Sequence, residues 1–184
     1  YIGGKWCAAQ TGDVIAVRNP ASMETFAEVA ALSAEESTLA VNAAQDAFPA
    51  WSGFLPQERA TFLRRWFELI LAHKEDLARI MVLEQGKPLS EARGEIAYGA
   101  AFIEFYAEQA KRPDIEGVTS HLPDAEVELW REPLGVAALI TPWNFPNAML
   151  TRKAAAALSA GCTVVCHPSS ETPFSALALA ELAA

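Results

Sequence analysis

Asn144 is a residue whose type and setting could serve chemistry, because it lies in the stretch Leu139–Pro146, which reads LITPWNFP. An asparagine carboxamide donates hydrogen bonds without carrying charge, so one held beside a reacting carbonyl can stabilise the oxyanion that nucleophilic attack creates. Asparagine is also a common helix N-cap, and the nearby Pro146 suits the first turn of a helix. Taken by itself, Asn144 is a candidate oxyanion donor or a candidate cap.

Arg152 and the segment His167-Pro168-Ser169-Ser170 are the other polar candidates in this region. A guanidinium can hold a carboxylate through two parallel hydrogen bonds, which would suit an acidic ligand. The alternative for Arg152 is a solvated cation on a helix face, the usual setting of arginine. The segment that begins at His167 follows an apolar run, so its imidazole and hydroxyl groups are expected at the end of a strand.

A strand and a helix are expected around the first two candidates. The apolar run Val136–Ile140 predicts a buried strand, which Pro142 ends. Pro146 lacks an N–H but has the φ angle of a first helical turn, so we expect a helix from Pro146 to about Ser159. Gly161 then closes that helix as a C-cap.

The same pattern repeats directly afterwards. Cys162–Cys166 predicts a second short strand, and Thr172-Pro173 predicts the cap and start of a second helix. The order strand, helix, strand, helix builds a parallel sheet, and the ligands of such sheets collect at the carboxyl ends of the strands. We therefore expect Thr141–Phe145 and His167–Ser170 to lie at the same edge.

Several segments together resemble the aldehyde dehydrogenase superfamily, and these are TPWNFP at 141–146, TRK at 151–153 and AGCTVV at 160–165. Three more are most similar to succinate-semialdehyde dehydrogenases: EQGKPL at 84–89, EARGEI at 91–96 and FSALALAEL at 174–182. The resemblance covers all 184 residues. It implies an α/β fold in which N-terminal helices and a β-ribbon lead into the first half of a Rossmann-like parallel-sheet nucleotide-binding domain.

The resemblance also implies an activity, the NAD(P)-dependent oxidation of succinate semialdehyde to succinate. In the family, the nucleophilic cysteine and the general-base glutamate lie downstream of these residues, so the chain as given should lack both and be inactive alone. It begins at Tyr1 without a methionine and ends at Ala184 without a helix stop signal, so we expect a piece of a longer protein. The alternative is a non-catalytic remnant that binds nucleotide or a partner subunit.

Individual residues acquire roles from the same resemblance. Asn144 matches the family's oxyanion donor, and the whole hexapeptide favours that role over a helix cap. Thr141, Pro142 and Trp143 match positions whose backbone lines the dinucleotide. Arg152 matches the arginine that holds the substrate carboxylate in succinate-semialdehyde dehydrogenases. Because relatives that handle neutral aldehydes carry the same Arg-Lys pair, a helix-face cation remains open for Arg152.

The nucleotide-binding segment, with His167, Pro168, Ser169 and Ser170, departs from the family at its first position. The family normally has a lysine there, which reaches the adenosine ribose and any 2′-phosphate. Histidine is shorter and, as a residue type, largely uncharged at neutral pH, so cofactor affinity should suffer. NAD-preferring relatives carry glutamate at the position of Ser170, and a small neutral side chain leaves room for a 2′-phosphate. We expect NADP or NAD as the cofactor, and the alternative for His167 is a strand end without a ligand.

Composition excludes several other classes of protein. The net charge of −9 argues against a nucleic acid or an anionic membrane as partner. Cys7, Cys162 and Cys166 suggest no disulfide framework, which favours the cytoplasm. Cys162 and Cys166 fall in a strand pattern and are expected to be small buried hydrophobic residues, Cys7 lies in the terminal ribbon, and none is expected to be a nucleophile. No spacing of ligands suggests a metal site. No apolar run approaches the roughly 20 residues that span a bilayer.

We expect three regions along the chain. Residues 1–113 form the β-ribbon and helical part of the nucleotide-binding domain, 114–134 an oligomerisation-type hairpin, and 135–184 the truncated Rossmann-like core. The alternation at Glu126–Arg131 predicts a half-buried strand. The resemblance implies that this hairpin joins a neighbouring subunit in a homo-oligomer, and the alternative is an edge strand covered by its own chain.

The N-terminal region should combine a ribbon with four helices. Tyr1–Trp6 and Asp13–Arg18 are expected to pair as an antiparallel ribbon, with a turn at Asn19. Helix starts are expected at the Ser33 capping box and at Pro56, and a helix stop at Gly86. An apolar stripe between 88 and 112 predicts a helix that Pro113 ends, with buried positions at Ala92, Ile96, Gly99, Ile103, Tyr106 and Ala110.

Overall fold

A computed structural model describes residues 1–112 and 115–184. Within these ranges the elements are β1 (Val14–Arg18), β2 (Thr25–Ala30), α1 (Ala34–Gly53), α2 (Pro56–Ala72), α3 (Lys74–Gln85), α4 (Leu89–Ala110), β3 (Ile115–Val118), β4 (Val127–Trp130), β5 (Val136–Ile140), α5 (Ala148–Ser159), β6 (Thr163–His167) and α6 (Pro173–Ala183). The predicted α/β class is confirmed. The predicted helix stop at Pro113 and the region boundary beside it lie outside the described residues. In the described ranges, no helix is both long enough and apolar enough to cross a membrane.

The N-terminal ribbon pairs differently from the prediction. β1 pairs with β2 in antiparallel fashion, whereas Tyr1–Trp6, the predicted partner, forms one isolated bridge within itself. The reason is the turn predicted at Asn19. Its side-chain carbonyl accepts the N–H of Ala21 at 2.9 Å, and its backbone exchanges hydrogen bonds with Met23 and Glu24. This Asx turn folds the chain straight back, so the following segment becomes the partner of β1.

The first helices begin and end at the predicted local signals. Ser33 accepts the Glu36 N–H on its hydroxyl while the Glu36 carboxylate accepts the Ser33 N–H, which completes the predicted capping box of α1. α2 begins at Pro56, also as predicted. Gly86 ends α3 with a φ of 80°, a left-handed conformation that glycine adopts without strain.

α4 lies at the centre of the hydrophobic core. The predicted stripe is confirmed at Ala92, Ile96, Gly99 and Ile103, all of which are buried. Gly99 is required by close packing, because a Cβ at this position would lie 2.4 Å from the side-chain oxygen of Asn147. α4 therefore packs tightly against the start of α5, the helix that follows the candidate oxyanion donor.

β5 and β6 form the predicted parallel pair, with α5 between them in the chain. Their register places Ile140 opposite His167. α5 begins at Ala148 and not at Pro146 as predicted. The carboxylate of Glu95, on α4, accepts two backbone N–H groups beyond the proline and so defines the first turn there.

Long-range hydrogen bonds tie the helices of the N-terminal half to the C-terminal half, and three of them are donated by N-terminal side chains and one by Thr163. The bonds run from Trp51 to the Leu158 carbonyl (3.1 Å), from Arg59 to Ser159 (3.2 Å), from Trp66 to Leu179 (3.1 Å) and from Thr163 to Ala44 (2.8 Å). Two of these carbonyls, those of Leu158 and Ser159, end α5, where the last C=O groups of a helix lack internal partners. The ties fix α5 and β6 against α1 and α2.

The hairpin of β3 and β4 is present as an antiparallel pair. Every residue of both strands is exposed, and Trp130 is 61% exposed. The half-burial predicted for Glu126–Arg131 is therefore wrong within this chain. A strand buries a face only where another layer covers it, and the described part of the chain places no layer here.

Candidate active site

The two segments expected at the sheet edge lie side by side. Thr141 directly follows β5 and donates its backbone N–H to the His167 carbonyl at 3.2 Å. Thr141 is buried, while Pro142 and Trp143 are exposed beyond it. The carboxyl ends of β5 and β6 thus meet as predicted, and the polar residues after each strand share one edge.

Asn144 lies exposed in the turn between β5 and α5. The N-cap of α5 is Asn147, so the structure does not use Asn144 as the cap. Asn144 borders an open pocket of about 450 Å³. The pocket is lined by Lys87, Glu91, Gly94, Glu95, Tyr98, Asn144 and Phe145. Asn144 therefore borders a space in which a small substrate could fit.

Lys87 and Glu95 form a buried ion pair under this turn. Nζ of Lys87 lies 2.5 Å from Oε2 of Glu95, and the two side chains are 9% and 1% exposed. The same ammonium donates to the Asn144 carbonyl at 3.1 Å and lies 4.1 Å from the centre of the Phe145 ring. This pair is not among the residues predicted from the sequence. Its one visible signal is that Glu95 falls on the apolar stripe of α4, between Ala92 and Gly99.

Glu84, on α3, accepts backbone N–H groups at the start of α6, as Glu95 does at the start of α5. Its carboxylate accepts the N–H groups of Phe174 and Ser175 at 2.7 and 2.8 Å. Burial raises the pKa of Glu84 above its usual value. Helix N-termini attract anions, but here a protein carboxylate already takes two of the first N–H groups at each of α5 and α6. A ligand at this edge must therefore be held by other groups.

Arg152 lies on α5 and is half-buried. Its guanidinium contacts Sδ of Met149 at 2.8 Å and lies 5.7 Å from the centre of the Phe102 ring. Phe102 in turn packs edge-on against Tyr98, which lines the pocket, with ring centres 4.8 Å apart. Across residues 1–112 and 115–184, Arg152 forms no ion pair with a carboxylate. Its charge therefore remains available to an acidic ligand.

The segment after β6 forms a turn into α6. Ser169 accepts the Glu171 N–H on its hydroxyl and the Thr172 N–H on its carbonyl. His167 and Ser170 are exposed, and Pro168 is half-buried. Exposed imidazole and hydroxyl groups at the carboxyl edge of a parallel sheet are a donor set that fits the ribose and phosphate groups of a dinucleotide.

The cysteines differ from expectation. All three are free, and Cys7 is exposed. Cys166 is also exposed and Cys162 is half-buried, so the burial predicted for these two residues is wrong within this chain. Burial of a strand residue requires covering layers on the sheet, and β6 has one neighbouring strand in the described ranges. Among those residues, no group of three His, Cys, Asp or Glu side chains could hold a metal ion.

Comparison with known proteins agrees with the resemblance noted from the motifs. Residues 6–184 match the family model described as aldehyde dehydrogenase family. The chain is 53% identical over 182 residues to the succinate-semialdehyde dehydrogenase [NADP(+)] GabD of Escherichia coli, covering 99% of this chain and 38% of GabD. It is 52% identical over 183 residues to a glutarate-semialdehyde dehydrogenase of Pseudomonas aeruginosa, covering 100% of this chain and 38% of that protein.

A solved structure of an E. coli NADP-dependent enzyme superposes with a TM-score of 0.97 at 53% identity. The match covers 99% of this chain and 38% of that one. The fold found here, with its N-terminal helices leading into a Rossmann-like sheet, is thus the N-terminal fold of these relatives. The chain spans 38% of the length of the relatives it matches, and it belongs to the aldehyde dehydrogenase family.

Proposed function

We propose that these residues form the N-terminal part of an NAD(P)-dependent aldehyde dehydrogenase that oxidises succinate semialdehyde to succinate. The observation that carries the proposal is the exposed Asn144 among the residues that line a pocket, in the turn that follows the edge where the ends of β5 and β6 meet. The identity of the chain to semialdehyde dehydrogenases over its whole length supports the same conclusion.

Asn144 is proposed as the oxyanion donor. Attack on an aldehyde carbon places negative charge on its oxygen, and a donor fixed in advance stabilises that charge with little reorganisation. The turn that carries Asn144 is held from below by Lys87 and Glu95, which supports this role. The nucleophile and the general base are expected from the family's downstream segment, so the 184 residues alone should not turn over an aldehyde.

Arg152 is proposed to bind the acidic end of the substrate. The names of the two relatives denote semialdehydes of dicarboxylic acids, which carry a carboxylate remote from the aldehyde. Tyr98 and Phe102 form an aromatic surface that leads from the pocket to the guanidinium. A substrate with its aldehyde at Asn144 and its acid at Arg152 would lie along this surface.

The exposed edge formed by Thr141, Pro142, Trp143 and the segment 167–170 is proposed to hold NADP or NAD. Ser170 leaves room for a 2′-phosphate, and the relative GabD carries NADP(+) in its name, which favours NADP. When bound, the nicotinamide accepts the hydride that the aldehyde carbon loses. The residues of this chain bind and orient the dinucleotide.

A second candidate function is binding of a partner subunit without catalysis. The exposed hairpin of β3 and β4 favours it, because exposed strands with apolar side chains pair readily with other chains. In the enzyme reading, the same hairpin is proposed to join a homo-oligomer.

The coding sequence beyond Ala184 separates the two candidates. A reading frame that continues into a glutamate motif and a cysteine motif would support the enzyme, and a stop codon would support the remnant. Reduction of NADP by succinate semialdehyde should then be measured with the full-length enzyme and with the 184-residue chain. We expect turnover from the former alone, and turnover by the shorter chain would contradict the division of roles proposed here.

A further inference from the structure

We infer that Lys87 is a positioning residue for the oxyanion donor, acting through the backbone of Asn144. This inference rests on the proposed role of Asn144. It assigns a function to the buried cation of Lys87, which pairs with Glu95. The structural basis is a set of contacts that hold the turn between β5 and α5 at several backbone atoms.

The ammonium of Lys87 has three N–H bonds and three partners. One partner is the Glu95 carboxylate at 2.5 Å, the second is the Asn144 carbonyl at 3.1 Å, and the third is the face of the Phe145 ring. An ammonium is a compact donor that can satisfy several directions at once. Its capacity is therefore fully used, and two of its three partners belong to the turn.

Glu95 extends this hold to the other side of the turn. Its second oxygen, Oε1, accepts the N–H groups of Asn147 and Ala148 at 3.0 and 3.2 Å. One buried ion pair thus fixes a carbonyl before Phe145 and two N–H groups after Pro146. With both ends of the turn fixed, the backbone from which the Asn144 side chain projects is held in place.

The position of Lys87 is itself built into the fold. It follows Gly86, whose left-handed φ of 80° turns the chain after α3. A Cβ on Gly86 would lie 2.8 Å from Pro20, in the turn after β1. Lys87 is therefore positioned at the pocket by a turn that packs against the N-terminal ribbon.

A structural role and a positioning role can be separated by two variants. Lys87→Met removes the ammonium and leaves the Glu95 carboxylate buried without its partner, which should destabilise the fold. Lys87→Met combined with Glu95→Gln removes both charges, so most of the stability should return while the Asn144 carbonyl stays without its donor. A structural role predicts that kcat recovers in the double variant, and a positioning role predicts that it stays low.

The experiment is a set of kinetic measurements on the full-length enzyme with succinate semialdehyde. We expect Lys87→Met, alone and with Glu95→Gln, to lower kcat by about 10- to 100-fold, with a much smaller change in KM.

Asn144→Ala should lower kcat by about 100- to 1,000-fold. Adding Lys87→Met to Asn144→Ala should lower kcat by less than about twofold more, because a residue that acts through Asn144 loses its effect when Asn144 is gone. Lys111→Met, which removes an exposed ion-paired lysine at the end of α4, is the matched control and should leave kcat unchanged.

Amide hydrogen exchange over residues 143–148 provides a readout that does not depend on activity. Loss of one hydrogen bond should speed exchange there by about fivefold in Lys87→Met and not in Lys111→Met. The inference is overturned if the effects of Lys87→Met and Asn144→Ala on kcat multiply, if kcat recovers in the double variant, or if exchange is unchanged. A normal kcat in Asn144→Ala would instead overturn the oxyanion role, and the exchange rates would still decide whether Lys87 holds the turn.

Discussion

Glu84 and Glu95 each place a buried carboxylate on the N-terminus of a helix that follows a strand of the parallel sheet. Glu95 accepts the first N–H groups of α5, and Glu84 accepts those of α6. The two carboxylates differ in how their buried charge is balanced. Glu95 forms an ion pair with Lys87, whereas burial raises the pKa of Glu84. The raised pKa makes the stability of the fold sensitive to pH at the Glu84 cap.

The first prediction concerns this pH dependence. Because the folded-state pKa of Glu84 is raised, its contribution to stability is fully present below the unfolded value of 4.5 and is lost as pH rises through the folded pKa. Glu84→Gln should remove this part of the slope of the unfolding free energy between pH 4.5 and neutral pH. The measurement is chemical denaturation of the full-length protein and the variant across that window.

Glu36 provides the control of opposite sign. Hydrogen bonds from the Ser33 and Gln10 backbone N–H groups lower the pKa of Glu36, so its contribution is present above 4.5 and is lost as pH falls through the lower folded value. Glu36→Gln should therefore change the slope at the acid end only. Identical slopes in wild type and in Glu84→Gln would contradict the first prediction.

The second prediction concerns the contact between α4 and α5. Gly99→Ala should destabilise the protein by about 1–3 kcal/mol, because the new Cβ would lie 2.4 Å from Asn147 and 2.9 Å from Thr151. Gly94→Ala, on the same helix, meets nothing within 4 Å and should stabilise by about 0.5–1 kcal/mol. Thermal or denaturant unfolding of both variants measures the two changes in stability. An unchanged free energy of unfolding in Gly99→Ala would show that α4 and α5 can move apart without loss of stability.

The third prediction tests whether Arg152 recognises an acid. Arg152→Gln should lower kcat/KM for succinate semialdehyde by about 100-fold or more, because a site built for an acidic group would lose its charged partner. For a neutral aldehyde of similar length, the change should be less than about threefold. Arg65→Gln, on the exposed face of α2, is the matched control. Equal losses of kcat/KM for both substrates would favour the alternative in which Arg152 is a solvated cation on the helix face.

The fourth prediction concerns the cofactor edge. His167→Lys should tighten NADP binding at pH 8 by about 1 kcal/mol, because a longer side chain with a permanent charge can reach a 2′-phosphate. Calorimetric titration of NADP and NAD against both proteins checks the change, which should be absent for NAD. Ser170→Glu should weaken NADP binding by repelling the same phosphate. If neither substitution alters either affinity, the strand-end reading of His167 would hold.

Much of the local structure could be predicted because its signals are local. The Ser33 capping box, the Pro56 helix start and the parallel pairing of β5 with β6 each follow from residue type and spacing within a few positions. The Lys87–Glu95 pair could not be predicted in this way. Its partners lie on three separate elements, and a charged residue within an apolar stripe does not reveal which distant backbone groups it will meet.

The errors have a common physical cause. The expected burial of β4 and of Cys166 assumed covering layers that the described part of the chain does not supply. The wrong partner for β1 came from weighing strand propensity above the turn chemistry of Asn19. Side-chain roles at Asn144, Arg152 and His167 stay predictions, since their ligands define them.

The hydrogen bond from Thr163 to the Ala44 carbonyl joins residues 119 positions apart. A ribosome that adds roughly 5–20 residues per second needs about ten seconds to make that stretch of chain. During this interval α1 lacks β5 and β6, the strands against which it packs, and contacts so distant in sequence form slowly. The N-terminal helices of the nascent chain are therefore a natural site for chaperone binding, and shortening this wait should raise the yield of folded protein.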